Sequence, residues 1–113
     1  MLQGLFNEPD PARRATAIDE TFTEDVVFAD GEGTITGRPA LAARVTQLLA
    51  QGPGLVFVHD GPLREIPGML GVRAWKLGPP GGDPVLGGLD VAVVRDGLIA
   101  HLYTMLDGGG AQA

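Results

Sequence analysis

Before residue 55 hydrophobic positions recur mainly at helical spacing, interrupted by one short extended stretch, and from there on they alternate or run in short apolar stretches. Leu2, Leu5 and Phe6 share a short helical face ahead of the breaker Asn7-Glu8-Pro9. A second helix is better marked. Asp10 is a capping residue, Pro11 suits the first turn, and Ala15, Ile18 and Phe22 recur on one face. Val26-Val27-Phe28 reads as a short strand, Ala29-Asp30-Gly31-Glu32-Gly33 as its turn and Thr34-Ile35-Thr36 as the return. The third helix follows Gly37-Arg38-Pro39. Leu41, Ala42, Val45, Leu48 and Leu49 form the stripe of a helix laid on a sheet, and Gln51-Gly52-Pro53-Gly54 stops it.

Beyond residue 55 the pattern predicts strands over 55–59, 63–66, 70–77, 85–94 and 98–106. Gly- and Pro-rich turns separate them, the tightest being Arg95-Asp96-Gly97. Helices first and antiparallel strands after give an α+β layout, with the helices on one face of a curved sheet. Gly87-Gly88 within a strand suggests a bulge or a sharp bend, and 108–113 reads as a loose tail. With 113 residues, the chain is expected to form a single domain over 1–113.

Composition narrows the chemistry. A net charge of −6, with the seven Arg and one Lys scattered, argues against nucleic acid and anionic membranes as partners. With no Cys and no Ser, disulfides, thiolate metal sites and the commonest nucleophiles are gone. His59 and His101 lie far apart, so no metal site is expected, and no cofactor motif occurs. Gly78-Pro79-Pro80-Gly81-Gly82 lacks the Lys-Thr/Ser ending of a phosphate loop. Met1-Leu2-Gln3-Gly4 carries no basic, apolar pattern, so no leader is expected, and no stretch comes near the roughly 20 apolar residues of a membrane span. A soluble, cytoplasmic protein is the expectation.

The order helix, helix, hairpin, helix, meander resembles the nuclear transport factor 2-like superfamily. Phe22-Thr23-Glu24-Asp25-Val26-Val27-Phe28-Ala29-Asp30, Gly37-Arg38-Pro39-Ala40-Leu41, Val72-Arg73-Ala74-Trp75-Lys76-Leu77-Gly78 and the segment from Leu89 to Ile99 look like its SnoaL-like branch. The resemblance implies a cone-shaped α+β barrel, a curved antiparallel sheet wrapped around the N-terminal helices with an apolar pocket open at one end. It also implies a homodimer through the outer face of the sheet and a small hydrophobic molecule as ligand. The fold hosts isomerases, cyclases, hydrolases and binding domains, so it does not choose among them.

Five residues are candidates for chemistry or its setting. Asp30 ends an apolar strand, where ketosteroid isomerases carry a proton-transferring carboxylate; it reads equally as a turn Asp bonding its own backbone. Asp90 lies inside Leu89-Asp90-Val91-Ala92-Val93-Val94. It is either a buried acid that must be paired, neutralised or used, or a residue facing solvent. The resemblance gives Asp90 two conflicting precedents, a protonated acid donating to an oxyanion or a carboxylate paired with Arg73. Trp75 shares a strand face with Arg73 and is either core or pocket wall. His59 at a strand end is a general base or a structural residue. Phe28, Ala92, Leu102 and Leu106 are expected to line the pocket with Trp75 and His59, leaving His101 and Tyr103 outside.

Two family features are missing. Ketosteroid isomerases use a Tyr on the first helix, and epoxide hydrolases position water with Tyr and Asn, yet the only Tyr here is Tyr103 and the only Asn is Asn7. A cyclase asks for less, one acid/base carboxylate in an apolar pocket that folds its substrate. The expected function is therefore a cofactor-independent isomerase, cyclase or hydrolase acting on a small hydrophobic carbonyl compound or epoxide. The alternative is a binding or dimerisation domain without turnover.

Overall fold

The computed structural model describes residues 7–52 and 54–107; the expected helical face of Leu2, Leu5 and Phe6 and the expected tail over 108–113 lie outside them. The second helix predicted from the sequence is α1, Pro11–Thr21. The Asp10 carboxylate accepts the Ala12 N–H at 3.1 Å, satisfying one of the donors that a helix start leaves unpaired. The strand β1, Phe22–Asp30, follows with no linker. It turns into β2, Gly33–Thr36, and the predicted third helix is α2, Arg38–Gln51. The remaining strands are β3 (Val56–His59), β4 (Arg64–Ile66), β5 (Leu70–Gly78), β6 (Leu86–Arg95) and β7 (Leu98–Leu106).

All seven strands form one sheet in the order β2-β1-β7-β6-β5-β3, with β4 paired to β5. Every pairing is antiparallel except β1 with β7, so the sheet is mixed, and it stays open between β2 and β3. The α+β architecture is as the sequence predicts, with β1 longer than its apolar trio suggests. Phe22 is the C-cap of α1 and already the first strand residue. The polar residues Glu24 and Asp25, both exposed, hide the strand's alternation where its register on β7 shifts between Phe22 and Val27.

Register decides which side chains share a face. Phe28 pairs with Leu102, Leu102 with Ala92 and Ala92 with Gly71, and this inner face takes the helices. Ile18 of α1 and Leu41 and Val45 of α2 pack with Phe22, Val26, Phe28 and Leu102 into the core, each at most 2% exposed. The helices contact β1, β2 and β7, so the inner face of β6, β5 and β3 extends beyond them.

Of the bulge or sharp bend expected at Gly87-Gly88, the bulge is not there. Both glycines pair in register with Lys76 and Trp75, and the β6–β7 shift falls at Val93/Val94 instead. Gly88 serves a close approach: a Cβ there would strike Cζ2 of Trp75, lie 2.8 Å from its Cε2 and 2.6 Å from the Met105 carbonyl. The Asp96-Gly97 turn does adopt the predicted left-handed conformation, with φ of 54° and 82°.

Candidate functional site

Three adjacent strands bring an acid, an indole and a hydroxyl together on the inner face. Asp90 of β6 pairs across the sheet with Thr104 of β7 on one side and Arg73 of β5 on the other. Trp75 lies two residues along β5 from Arg73, opposite Gly88, and has room to lay its ring over β6 because residue 88 has no side chain. From there its Nε1–H donates to Oδ1 of Asp90 at 3.0 Å, and the Thr104 hydroxyl donates to the same oxygen at 2.8 Å. Phe57 of β3 meets the indole edge to face, with ring centroids 5.2 Å apart, and fixes it from the far side.

The electrostatics follow from this shell. Burial pushes the Asp90 carboxyl above the ordinary carboxylate range, and the bonds from Thr104 and Trp75 pull it back only in part. Arg73 does not hold it ionised. Its Nε donates to the Gly61 carbonyl at 3.3 Å, and its charge acts on His59. No ion pair to Asp90 occurs among the described residues. Of the two precedents for Asp90, the Arg-paired carboxylate therefore lacks its pair, and neutral donors stand in its place. His59 is half-buried opposite Trp75 and is pushed below its ordinary value, by burial first and by Arg73 second.

Asp30 has a different setting. It ends β1 one step beyond the Ala29–Tyr103 pair, level with Thr104 and two strands from Asp90. Its Oδ1 accepts the Glu32 N–H at 2.9 Å, the self-bonded turn that was its alternative reading. Its Oδ2 takes Nη2 of Arg44 at 2.7 Å, an ion pair whose side chains are 13% and 11% exposed. The same guanidinium nitrogen reaches Glu32 at 2.8 Å.

The other candidates divide. Phe28 and Leu102 are core, 2% and 0% exposed beneath the helices. Trp75 is buried, Ala92 is half-buried against the core edge, and Leu106 at the end of β7 is 43% exposed. His101 and Tyr103 stack at 6.0 Å on the outer face. Two contributors were not singled out from the sequence, Thr104 and Arg44. Thr104 shares its strand face with Leu102, which was the one signal available, but its meeting with Asp90 depends on a cross-strand register.

Among the described residues no cluster of three or more His or acidic side chains suits a metal, and no helix is long and apolar enough to cross a membrane. Residues 5–102 match the family model described as the SnoaL-like domain. A candidate isomerase of the SnoaL-like family from Agrobacterium tumefaciens is similar in structure, at 28% identity over 95% of this chain and 92% of that one, with a TM-score of 0.88. An NTF2-like protein from Exiguobacterium has 19% identity, 94% of each chain covered and a TM-score of 0.74. A candidate SnoaL-like polyketide cyclase from Jannaschia has 18% identity, 98% and 85% covered and the same TM-score of 0.74. No curated protein matches the chain.

Proposed function

The chain belongs to the SnoaL-like domain family, and on that premise we propose that it transfers a proton to and from a small hydrophobic carbonyl compound, with Asp90 as the acid/base. One observation carries the reading: a half-buried carboxyl on the inner face, held by two neutral donors and out of ion-pair reach of any described cation. A carboxyl whose pKa is raised by burial is a stronger base when ionised than one in water. In the reaction its oxygen takes the proton from the carbon beside the carbonyl. The C–H bonding pair moves into the C=C bond of an enolate, and the proton is returned to carbon. Buried Trp75 and half-buried Phe57 make an apolar setting beside the acid.

The test uses 2-tetralone, a small aromatic ketone, and follows exchange of its α-protons for deuterium by NMR. Asp90→Asn is expected to slow protein-dependent exchange by about 10²- to 10⁴-fold. Exchange undiminished in that variant overturns the reading. Arg44 supports a second one, a binding domain without turnover, because it occupies Asp30 and leaves Asp90 as the single candidate base on this row. Saturable 2-tetralone binding without exchange decides for it.

The same proposal has two copies joined through their outer sheet faces. Val58, Ile66, Tyr103 and Met105 are exposed on that side, with Val72, Val91 and Val93 between them. A face this apolar on so small a chain suits a second copy of itself.

A further inference from the structure

The two donors to Asp90 both use one oxygen. Trp75 Nε1–H and the Thr104 hydroxyl converge on Oδ1, and no described residue bonds Oδ2. From this asymmetry we infer that Thr104 and Trp75 are positioning residues, which pin Asp90 through Oδ1 and leave Oδ2 as the oxygen that exchanges a proton with the ligand. The inference rests on the proposed proton transfer and adds which oxygen acts and what aims it.

The geometry is over-determined in a way that simple core packing does not require. The indole reaches Asp90 only because residue 88 is glycine, and Phe57 blocks its retreat. Thr104 approaches from the opposite strand, so the carboxyl is gripped from both flanks and its rotation about the Cβ–Cγ bond is stopped. A carboxylate free to turn would present either oxygen in any direction, and proton transfer falls off steeply with misorientation. A pinned Oδ1 also settles where the proton of the neutral form resides. Oδ1 already receives two hydrogens, so the carboxyl proton sits on Oδ2.

The charged groups around the acid are few. Arg73 on β5 is turned to Gly61, His59 on β3 lies opposite Trp75, and Asp30 on β1 is two strands away on Arg44 of α2. None of them is a donor to Asp90, so removing Thr104 or Trp75 from the shell acts on its titration directly.

The experiment is a carboxyl-resolved NMR titration of Asp90, with Asp90→Asn to assign the signal, in the full chain and in Thr104→Val, Thr104→Ser and Trp75→Phe. Thr104→Val and Trp75→Phe each remove a bond that favours the ionised form, so their midpoints are expected to move up. Thr104→Ser keeps the hydroxyl and is expected to return the midpoint to that of the parent. Exchange of 2-tetralone is expected to fall in Thr104→Val and recover in Thr104→Ser. An unmoved midpoint in Thr104→Val, or a Thr104→Ser displaced as far as Thr104→Val, overturns the inference, since either makes residue 104 a packing residue only. Should Thr104→Val fail to fold, Trp75→Phe alone decides by the same midpoint. The titrations need no turnover, so they stand apart from a failure of the exchange assay, which would count against the proton-transfer reading alone.

Discussion

A single residue, Asp90, sets stability and chemistry against each other. Its pKa is higher in the folded chain than unfolded, because burial outweighs its two hydrogen bonds. As pH rises, the unfolded chain therefore gives up this proton first. Between the two values the folded state holds more protons, and stability falls with rising pH through that window. Above it the loss is complete, so an ionised Asp90 destabilises the fold it serves. Asp90→Asn keeps an oxygen for Trp75 and Thr104 and carries no charge. It is expected to be more stable than the parent at pH 7, by urea unfolding, with the advantage shrinking toward pH 4. An advantage that is equal at both pH values would show that charge burial is not the cause. His59 slopes the other way: a depressed folded value means stability is lost as pH falls below about 6.5. His59→Gln removes that slope and isolates the one belonging to Asp90.

Between elements, the strongest polar tie is Arg44, which locks α2 to the β1–β2 hairpin through Asp30 and Glu32. Asp30 is nearly buried, so removing the cation strands a charge. Arg44→Ala is expected to cost about 2–3 kcal/mol in urea unfolding, below the full penalty of a buried pair because Glu32 is exposed. A loss under about 0.5 kcal/mol would make the pair a surface contact of no consequence. This tie also marks where the sequence becomes hard to read. Both described helices, the Asp10 cap and the Asp96-Gly97 turn follow from local signals, since each is decided by residues within one or two turns of chain. Asp90 was equally legible, as a charge in an apolar strand. The row that joins Asp30, Thr104, Asp90 and Arg73 depends on the pairing of four strands, which no local pattern carries. The bulge expected at Gly88 is absent for a related reason. A glycine in a strand signals either a bulge or a close neighbour, and the neighbour, Trp75, comes from another strand.

For the whole molecule, the open question is what covers the outer face of the sheet. The helices occupy the inner face, so nothing within the described chain lies over Val72, Val91, Val93 and Tyr103. Five strands spaced about 4.8 Å apart, most of them nine or ten residues long, give that face a footprint of roughly 600–700 Å². A standard protein interface takes about 800 Å² from each partner, counted over the contoured surface, so the face is of the right size for one copy of itself. A two-fold arrangement would set Tyr103, near the centre of the sheet, close to the symmetry axis. Tyr103 is 39% exposed in the single chain, and its side chain stacks on His101. In a monomer, Tyr103→Asp is a surface change expected to shift stability by no more than about 0.5 kcal/mol. In a dimer it places two like charges in a desolvated contact, where the repulsion and the burial of each carboxylate act together. Sedimentation velocity is expected to find the parent at twice the mass of the chain and Tyr103→Asp at the mass of one, still folded by circular dichroism. A parent that sediments as a single chain at micromolar concentration removes the dimer, and with it the assignment of this face.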